Sequence, residues 1–134
     1  MDRPYLDANV FYSAARAPTR VRRLWELPET ELLTSPYAVA ETRRNLEQDK
    51  PETLADLDAL VAAMLLVAEP PPDLSLPAEV SLPDKDQPVF LSALAAQATH
   101  FLTGDKRHFG AYRGQTVGGM RVFTPGDYLD ERGM

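Results

Sequence analysis

Three aspartates, Asp7, Asp86 and Asp105, each stand where an apolar run gives way to a helical pattern, and Glu41 stands on the second turn of a helix that follows a strand. Carboxylates a few ångströms apart repel strongly in a partly desolvated site, so protons or cations must compensate them. Oxygen-only ligands select hard cations, Mg²⁺ or Mn²⁺, which keep several waters and bridge to phosphate. One or two such ions activate a water and stabilise the leaving oxygen of a phosphodiester. Metal-dependent phosphodiester hydrolysis is therefore the chemistry expected of Asp7, Glu41, Asp86 and Asp105, each as a catalytic residue and a metal ligand. Taken singly, each has another role open to it. Asp is a favoured N-cap, and Glu41 reads as a solvated helix residue that could pair with Arg44. Only the four together carry the functional reading.

The elements that must position these side chains alternate between strand and helix. Pro4 to Leu6 reads as a strand, and Asp7-Ala8-Asn9 caps a helix running through Val10, Phe11 and Ala14. An arginine-rich helical stretch covers Arg20 to Leu27, centred on Trp25, a core candidate, and stopped by Pro28. Glu31 to Thr34 is a short strand. Ser35-Pro36 then starts a helix to about Gln48, with Ser as N-cap and Pro at the first position. From Pro51, the residues Leu54, Leu57, Leu60, Val61 and Met64 recur at helical spacing. Met64 to Ala68 is compatible with a strand.

The segment Glu69 to Pro83 holds five of the twelve prolines and reads as an irregular crossing loop. Asp86-Gln87-Pro88 opens a helix expected to bury Leu91, Leu94, Ala95 and Ala98. His100 to Thr103 is a strand, Gly104-Asp105 turns into a short helix, Met120 to Phe123 is the last strand, and Thr124 opens a terminal helix. Such alternation predicts a three-layer α/β/α sandwich with a central, mostly parallel sheet. If the strands ending at Leu6 and Thr103 are central and parallel, Asp7 and Asp105 emerge at one edge. Ligands of open α/β sheets bind there, where strand order reverses.

A length of 134 residues suits a single domain over the whole chain, and 44% hydrophobic residues suffice for a core. The absence of cysteine excludes disulfides, thiolate metal sites and cysteine nucleophiles. No signal-peptide pattern opens the chain, and the longest apolar run, Ala59 to Ala68, is too short to span a bilayer, so a soluble cytoplasmic protein without membrane contact is expected. The net charge of −6 runs against a general nucleic-acid binder. Cations bound in an acidic cluster reverse the sign locally, and eleven of the fourteen basic residues are Arg, the better phosphate gripper.

Four segments in order resemble one family. Tyr5-Leu6-Asp7-Ala8-Asn9-Val10-Phe11 looks like the opening motif of PIN domains. Ser35-Pro36-Tyr37-Ala38-Val39-Ala40-Glu41 is similar to their second motif, and Lys85-Asp86-Gln87-Pro88 with the apolar helix after it to their third. Phe101-Leu102-Thr103-Gly104-Asp105-Lys106-Arg107-His108-Phe109 resembles the fourth and is the most specific. The resemblance runs from Tyr5 to about Phe123 and points to VapC-like toxin nucleases. It implies a parallel sheet of about five strands and RNA hydrolysis with Mg²⁺ or Mn²⁺. It maps Asp7, Glu41, Asp86 and Asp105 onto the acidic quartet, with Asn9 and Thr103 as supporting polar groups at the substrate. It also implies a homodimer and an antitoxin protein as partner. Asp84 lies two residues before Asp86 and could share its role; Asp86 is favoured because it directly precedes the helix start.

Lys106 and Arg107 follow the fourth motif and are candidates for holding substrate phosphates. His108 shows no partner in the sequence and stays outside the catalytic set. Arg16, Arg20, Arg22 and Arg23 make a backbone-gripping strip or a solvated helix face. The main rival function is a catalytically inactive module of the same fold that binds RNA or regulates by interaction. Four intact carboxylates speak against it, since without metal they only repel. A haloacid-dehalogenase-type phosphatase would want Asp-x-Asp where Asp7-Ala8-Asn9 stands, and a receiver domain's spacing is absent.

Overall fold

The computed structural model describes all 134 residues. Its sheet has six strands: β1 (Pro4–Leu6), β2 (Leu33–Thr34), β3 (Leu65–Leu66), β4 (His100–Leu102), β5 (Thr116–Val117) and β6 (Met120–Phe123). The helices are α1 (Ala8–Arg16), α2 (Pro36–Asp49), α3 (Leu54–Ala62), α4 (Gln87–Ala95), α5 (Lys106–Phe109) and α6 (Pro125–Glu131). Strand order is β3-β2-β1-β4-β6-β5, parallel throughout except for the β5–β6 hairpin. This is the expected α/β sandwich.

The chain runs outward from β1 through β2 to β3, then crosses back to place β4 on the other side of β1. The strand order therefore reverses between β1 and β4, in register Pro4↔His100, Tyr5↔Phe101 and Leu6↔Leu102. Every side chain of both strands is buried. Alternation along a strand sends neighbouring side chains to opposite faces. Tyr5 and Phe101 stack with ring centroids 5.6 Å apart, and Phe101 meets Phe90 of α4 and Phe109 of α5 at 5.1 and 4.9 Å. His100 points to the other face and meets Tyr128 of α6 at 4.7 Å. On that face α6 packs on a 3₁₀ segment, Arg20–Glu26, which packs on α1, and α1 packs on α2 and α3.

Three details depart from the sequence reading. The sheet has a sixth strand, β5, joined to β6 through Gly118-Gly119, whose φ values of +57° and +82° suit a tight hairpin turn. A Cβ at Gly118 would stand 2.9 Å from Leu94 Cδ2, so Leu94 would have to turn aside, but the positive φ is what calls for glycine. The buried face of α4 carries Val89, Phe90 and Ala93 in place of Leu91, Leu94 and Ala95; Ala98 is buried as expected. Apolar residues surround nearly the whole of α4, so periodicity alone selects no stripe; the aromatic cluster at Phe101 does. Trp25 is only half-buried, with Nε1 donating to the Leu60 carbonyl at 3.0 Å. No helix is long and apolar enough to cross a membrane.

Candidate metal and nuclease site

Asp7 is the first residue after β1, and its amide donates to the Leu102 carbonyl at 3.0 Å, continuing the β1–β4 ladder by one bond. That bond brings Asp7 against the Thr103-Gly104-Asp105 turn. The carboxylate is 6% exposed and accepts three hydrogen bonds: from Ala8 N (2.9 Å) on Oδ1, and from Thr103 Oγ1 (2.9 Å) and Asn9 Nδ2 (3.1 Å) on Oδ2. The Thr103 hydroxyl is saturated, since it also accepts from Asn9 Nδ2 (3.3 Å) and Asp105 N (3.1 Å). Asn9 Oδ1 accepts from Gly104 N at 2.7 Å. A Cβ at Gly104 would stand 3.2 Å from that oxygen, a tight approach that explains the glycine. Asn9 and Thr103 thus clamp the strand-end Asp7 to the fourth motif.

Glu41 reaches the same place by another route. Ser35 Oγ accepts the Ala38 amide at 3.2 Å, capping α2, and shares a 2.7 Å hydrogen bond with the Tyr5 hydroxyl. Thr42 is buried and donates to the Ala8 carbonyl at 3.2 Å. These contacts seat the second turn of α2 over the start of α1, with Glu41 beside Asp7. The Glu41 side chain forms no ion pair or hydrogen bond, with Arg44 or any other residue. Asp86 closes a 3₁₀ turn, Asp84–Asp86, held by Asp86 N on the Pro83 carbonyl (2.9 Å) and Gln87 Nε2 on the Leu82 carbonyl (3.0 Å).

The four acidic residues line one cavity of about 420 Å³, together with Asn9, Tyr12, Asn45 and Lys85. Asp84 is exposed and outside it, accepting only a long bond from Gln87 Nε2 at 3.4 Å. Thr103 lies beneath the cavity, behind Asp7. Lys106 and Arg107 are exposed and do not line it; its cationic wall residue is Lys85. Three of the four strip arginines are engaged by the chain itself: Arg20 pairs with Asp130 at 2.6 Å, Arg22 donates to the Ala14 carbonyl, and Arg23 to the Met134 carbonyl, while Arg16 lies 6.0 Å from the centre of the Tyr12 ring.

Capping accounts for these aspartates unequally. Asp105 is a full N-cap of α5, accepting from Arg107 N (3.0 Å) and His108 N (3.1 Å) through Oδ1. Asp7 bonds only the first amide of α1, and Asp86 makes no capping bond. His108, absent from the expected set, completes the cluster. Its Nδ1 stands 2.8 Å from Asp105 Oδ2 and 3.0 Å from Asp86 Oδ2. A ring nitrogen carries at most one hydrogen, and here the hydrogen bond goes to Asp105. Asp86 Oδ2 is left buried with no hydrogen-bond partner despite its closeness to the ring. The signal for His108 was present, because position i+3 from Asp105 lies on the same helical face.

Burial raises the Asp7 carboxyl to about 6, opposed by its bonds from Thr103 and Ala8 and reinforced by Glu41 and Asp86. Asp86 is raised too, chiefly by burial, with His108 and Lys85 lowering it and Asp105 raising it. Two carboxylates held above their ordinary range in one cavity fit a site that gains by taking up cations. The orphaned oxygen of Asp86 and the all-carboxylate quartet fit a hard divalent ion.

No curated protein matches the sequence. Among solved structures, a chain from the "VapBC2 from Rickettsia felis bound to a DNA fragment from their promoter" superposes with a TM-score of 0.64 at 13% identity, over 91% of this chain and 98% of that one. The two share a fold. A family model described as a PIN domain matches residues 3–107, which include all four cavity carboxylates, and the chain belongs to that family.

Proposed function

We propose that the protein is a metal-dependent endoribonuclease that hydrolyses RNA phosphodiesters at the cavity beyond the carboxyl ends of β1 and β4. The observation that carries this is the convergence of Asp7, Glu41, Asp86 and Asp105 on one cavity, with a buried unpartnered carboxylate oxygen among them. Membership of a nuclease family supports the same reading.

Asp7, Glu41, Asp86 and Asp105 would hold Mg²⁺ or Mn²⁺, which supplies Lewis-acid activation of water and charge neutralisation at the phosphodiester. The chain's own groups do the positioning. Thr103 and Asn9 fix Oδ2 of Asp7 relative to the Asp105 turn, the Ala8 amide holds Oδ1, and Asn9 stands on the cavity wall. Lys85 offers a cation on the wall to a phosphate oxygen, while Lys106 and Arg107 would meet the strand only outside the cavity. The cavity is open and polar, which suits an extended single strand or an exposed loop of structured RNA.

The reading extends to biology: a VapC-like toxin acting in the cytoplasm, restrained by an antitoxin and assembled as a homodimer. The shared fold with a chain of a VapBC2 complex supports it. Edge strand β3, with Leu65 and Leu66 46% and 47% exposed, leaves apolar surface for assembly. A gel assay on labelled single-stranded RNA in Mn²⁺ tests the activity. Wild type should cut, and Asp7→Asn, Glu41→Gln, Asp86→Asn and Asp105→Asn should each abolish cleavage. Variants that cut as well as wild type would reduce the carboxylates to caps. RNA binding without cleavage by wild type would favour the inactive module.

A further inference from the structure

We propose that His108 is a metal ligand, forming with Asp86 and Asp105 a mixed nitrogen–oxygen subsite that takes one divalent ion and biases the cavity toward Mn²⁺ over Mg²⁺. This rests on the reading above that the acidic cavity holds divalent metal, and adds a ligand outside the acidic quartet.

Three observations carry it. The ligand atoms of Asp86, Asp105 and His108 all lie within 4.8 Å of one another. His108 Nδ1 sits 2.8 and 3.0 Å from the two carboxylate oxygens. Neighbouring ligands of a six-coordinate ion with bonds of about 2.1 Å are about 3 Å apart, so these atoms already have the spacing of two edges of a coordination shell that meet at Nδ1. Asp86 Oδ2 is buried, lacks a hydrogen-bond partner and stands on this same group of atoms. A cation between the three atoms satisfies that oxygen, which a single imidazole hydrogen shared with Asp105 does not.

The local backbone supports the same geometry. Asp105 commits Oδ1 to the amides of Arg107 and His108, which turns Oδ2 toward the ring. His108 lies on the first turn of α5, and Phe109 beside it is anchored in the aromatic cluster of Phe90 and Phe101. The three side chains are 14–25% exposed, and two of them, Asp86 and Asp105, also line the cavity. Without an ion, Nδ1 carries the hydrogen bonded to Asp105; a bound ion would take the tautomer with its hydrogen on Nε2, whose Nδ1 lone pair faces the two carboxylates. An imidazole ligand is borderline in softness, and it favours Mn²⁺ over Mg²⁺, which prefers oxygen alone.

The test is Mn²⁺ binding to the protein without RNA, followed by electron spin resonance, with Mg²⁺ affinity measured by competition. Wild type should show ¹⁴N coupling from a directly bound imidazole. His108→Asn keeps a polar group near the Nδ1 position; it should lose that coupling and weaken Mn²⁺ about 10-fold, with Mg²⁺ affinity changing about 2-fold or less. Melting in EDTA checks that the variant folds, and if it does not, the wild-type spectrum alone decides. Mn²⁺ bound by wild type without nitrogen coupling, and weakened by Asp86→Asn, overturns the role of His108 and leaves the acidic site standing. Failure of wild type to bind millimolar Mn²⁺ removes both.

Discussion

The amide of Asp7 donates to the carbonyl of Leu102 at 3.0 Å, one step beyond the last paired residues of β1 and β4. This single bond joins the first and fourth motifs. It sets a buried carboxylate against the turn that carries Asp105, at the point where the strand order reverses.

The burial of Asp7 has a pH signature. Its folded-state value of about 6 lies above the ordinary 3.8, so between these values the folded protein holds a proton that the unfolded chain does not. Stability must therefore fall as pH rises through this window. That rise corresponds to at most about 3 kcal/mol. In EDTA, Asp7→Asn should be more stable than wild type at pH 7.5 and lose that advantage near pH 4. Urea titrations at the two pH values measure it, and an advantage that persists at pH 4 counts against the ionisation account.

Divalent metal should act in the opposite direction. A cation that binds only the folded state stabilises it by about 2.7 kcal/mol at 100 times its dissociation constant. Melting temperature should rise by several degrees in millimolar Mn²⁺ and not in monovalent salt of matched ionic strength. The rise should shrink in Asp7→Asn and in Glu41→Gln. Equal responses from wild type and both variants would mean that the ions bind elsewhere.

Thr103 is the hub beneath the site. Thr103→Val keeps the shape but removes the donor to Asp7 and the acceptor for Asn9 and Asp105 N. Leaving such buried groups unpaired costs about 1–3 kcal/mol. The loss should be larger at pH 7.5 than at pH 5, because the missing donor served the charged form of Asp7. Denaturation midpoints at both values check this; a pH-independent loss would show that Thr103 acts by packing alone.

Asp84 and Asp86 offer an internal control. Only Asp86 lines the cavity, and Asp84 is exposed. Asp84→Asn should retain cleavage within about 3-fold and cost under about 0.5 kcal/mol of stability, as surface changes do. Asp86→Asn should abolish cleavage. Equal losses from the two substitutions would show that the turn, not the carboxylate, matters.

The sequence by itself determined the order of strands and helices, because apolar runs, prolines and capping residues act within a few positions of one another. Ser35-Pro36 starting α2 and Pro125 starting α6 follow from such local rules. It also pointed to the acidic set, with Asp7, Asp86 and Asp105 at element boundaries and Glu41 on the second turn of α2, and the fold brings these four to one cavity. The stripe of α4 was beyond it: Phe90 turns inward because Phe101 and Phe109 leave a place there, a contact between segments distant along the chain. Lys85, not Lys106 or Arg107, on the cavity wall follows from how the 3₁₀ turn and α5 project from the sheet edge. His108 meets Asp105 within its own turn, but acquires Asp86 only when the turn at Asp86 folds beside α5. Local periodicity reports which way a residue faces within its own element, and only tertiary packing decides what stands opposite it.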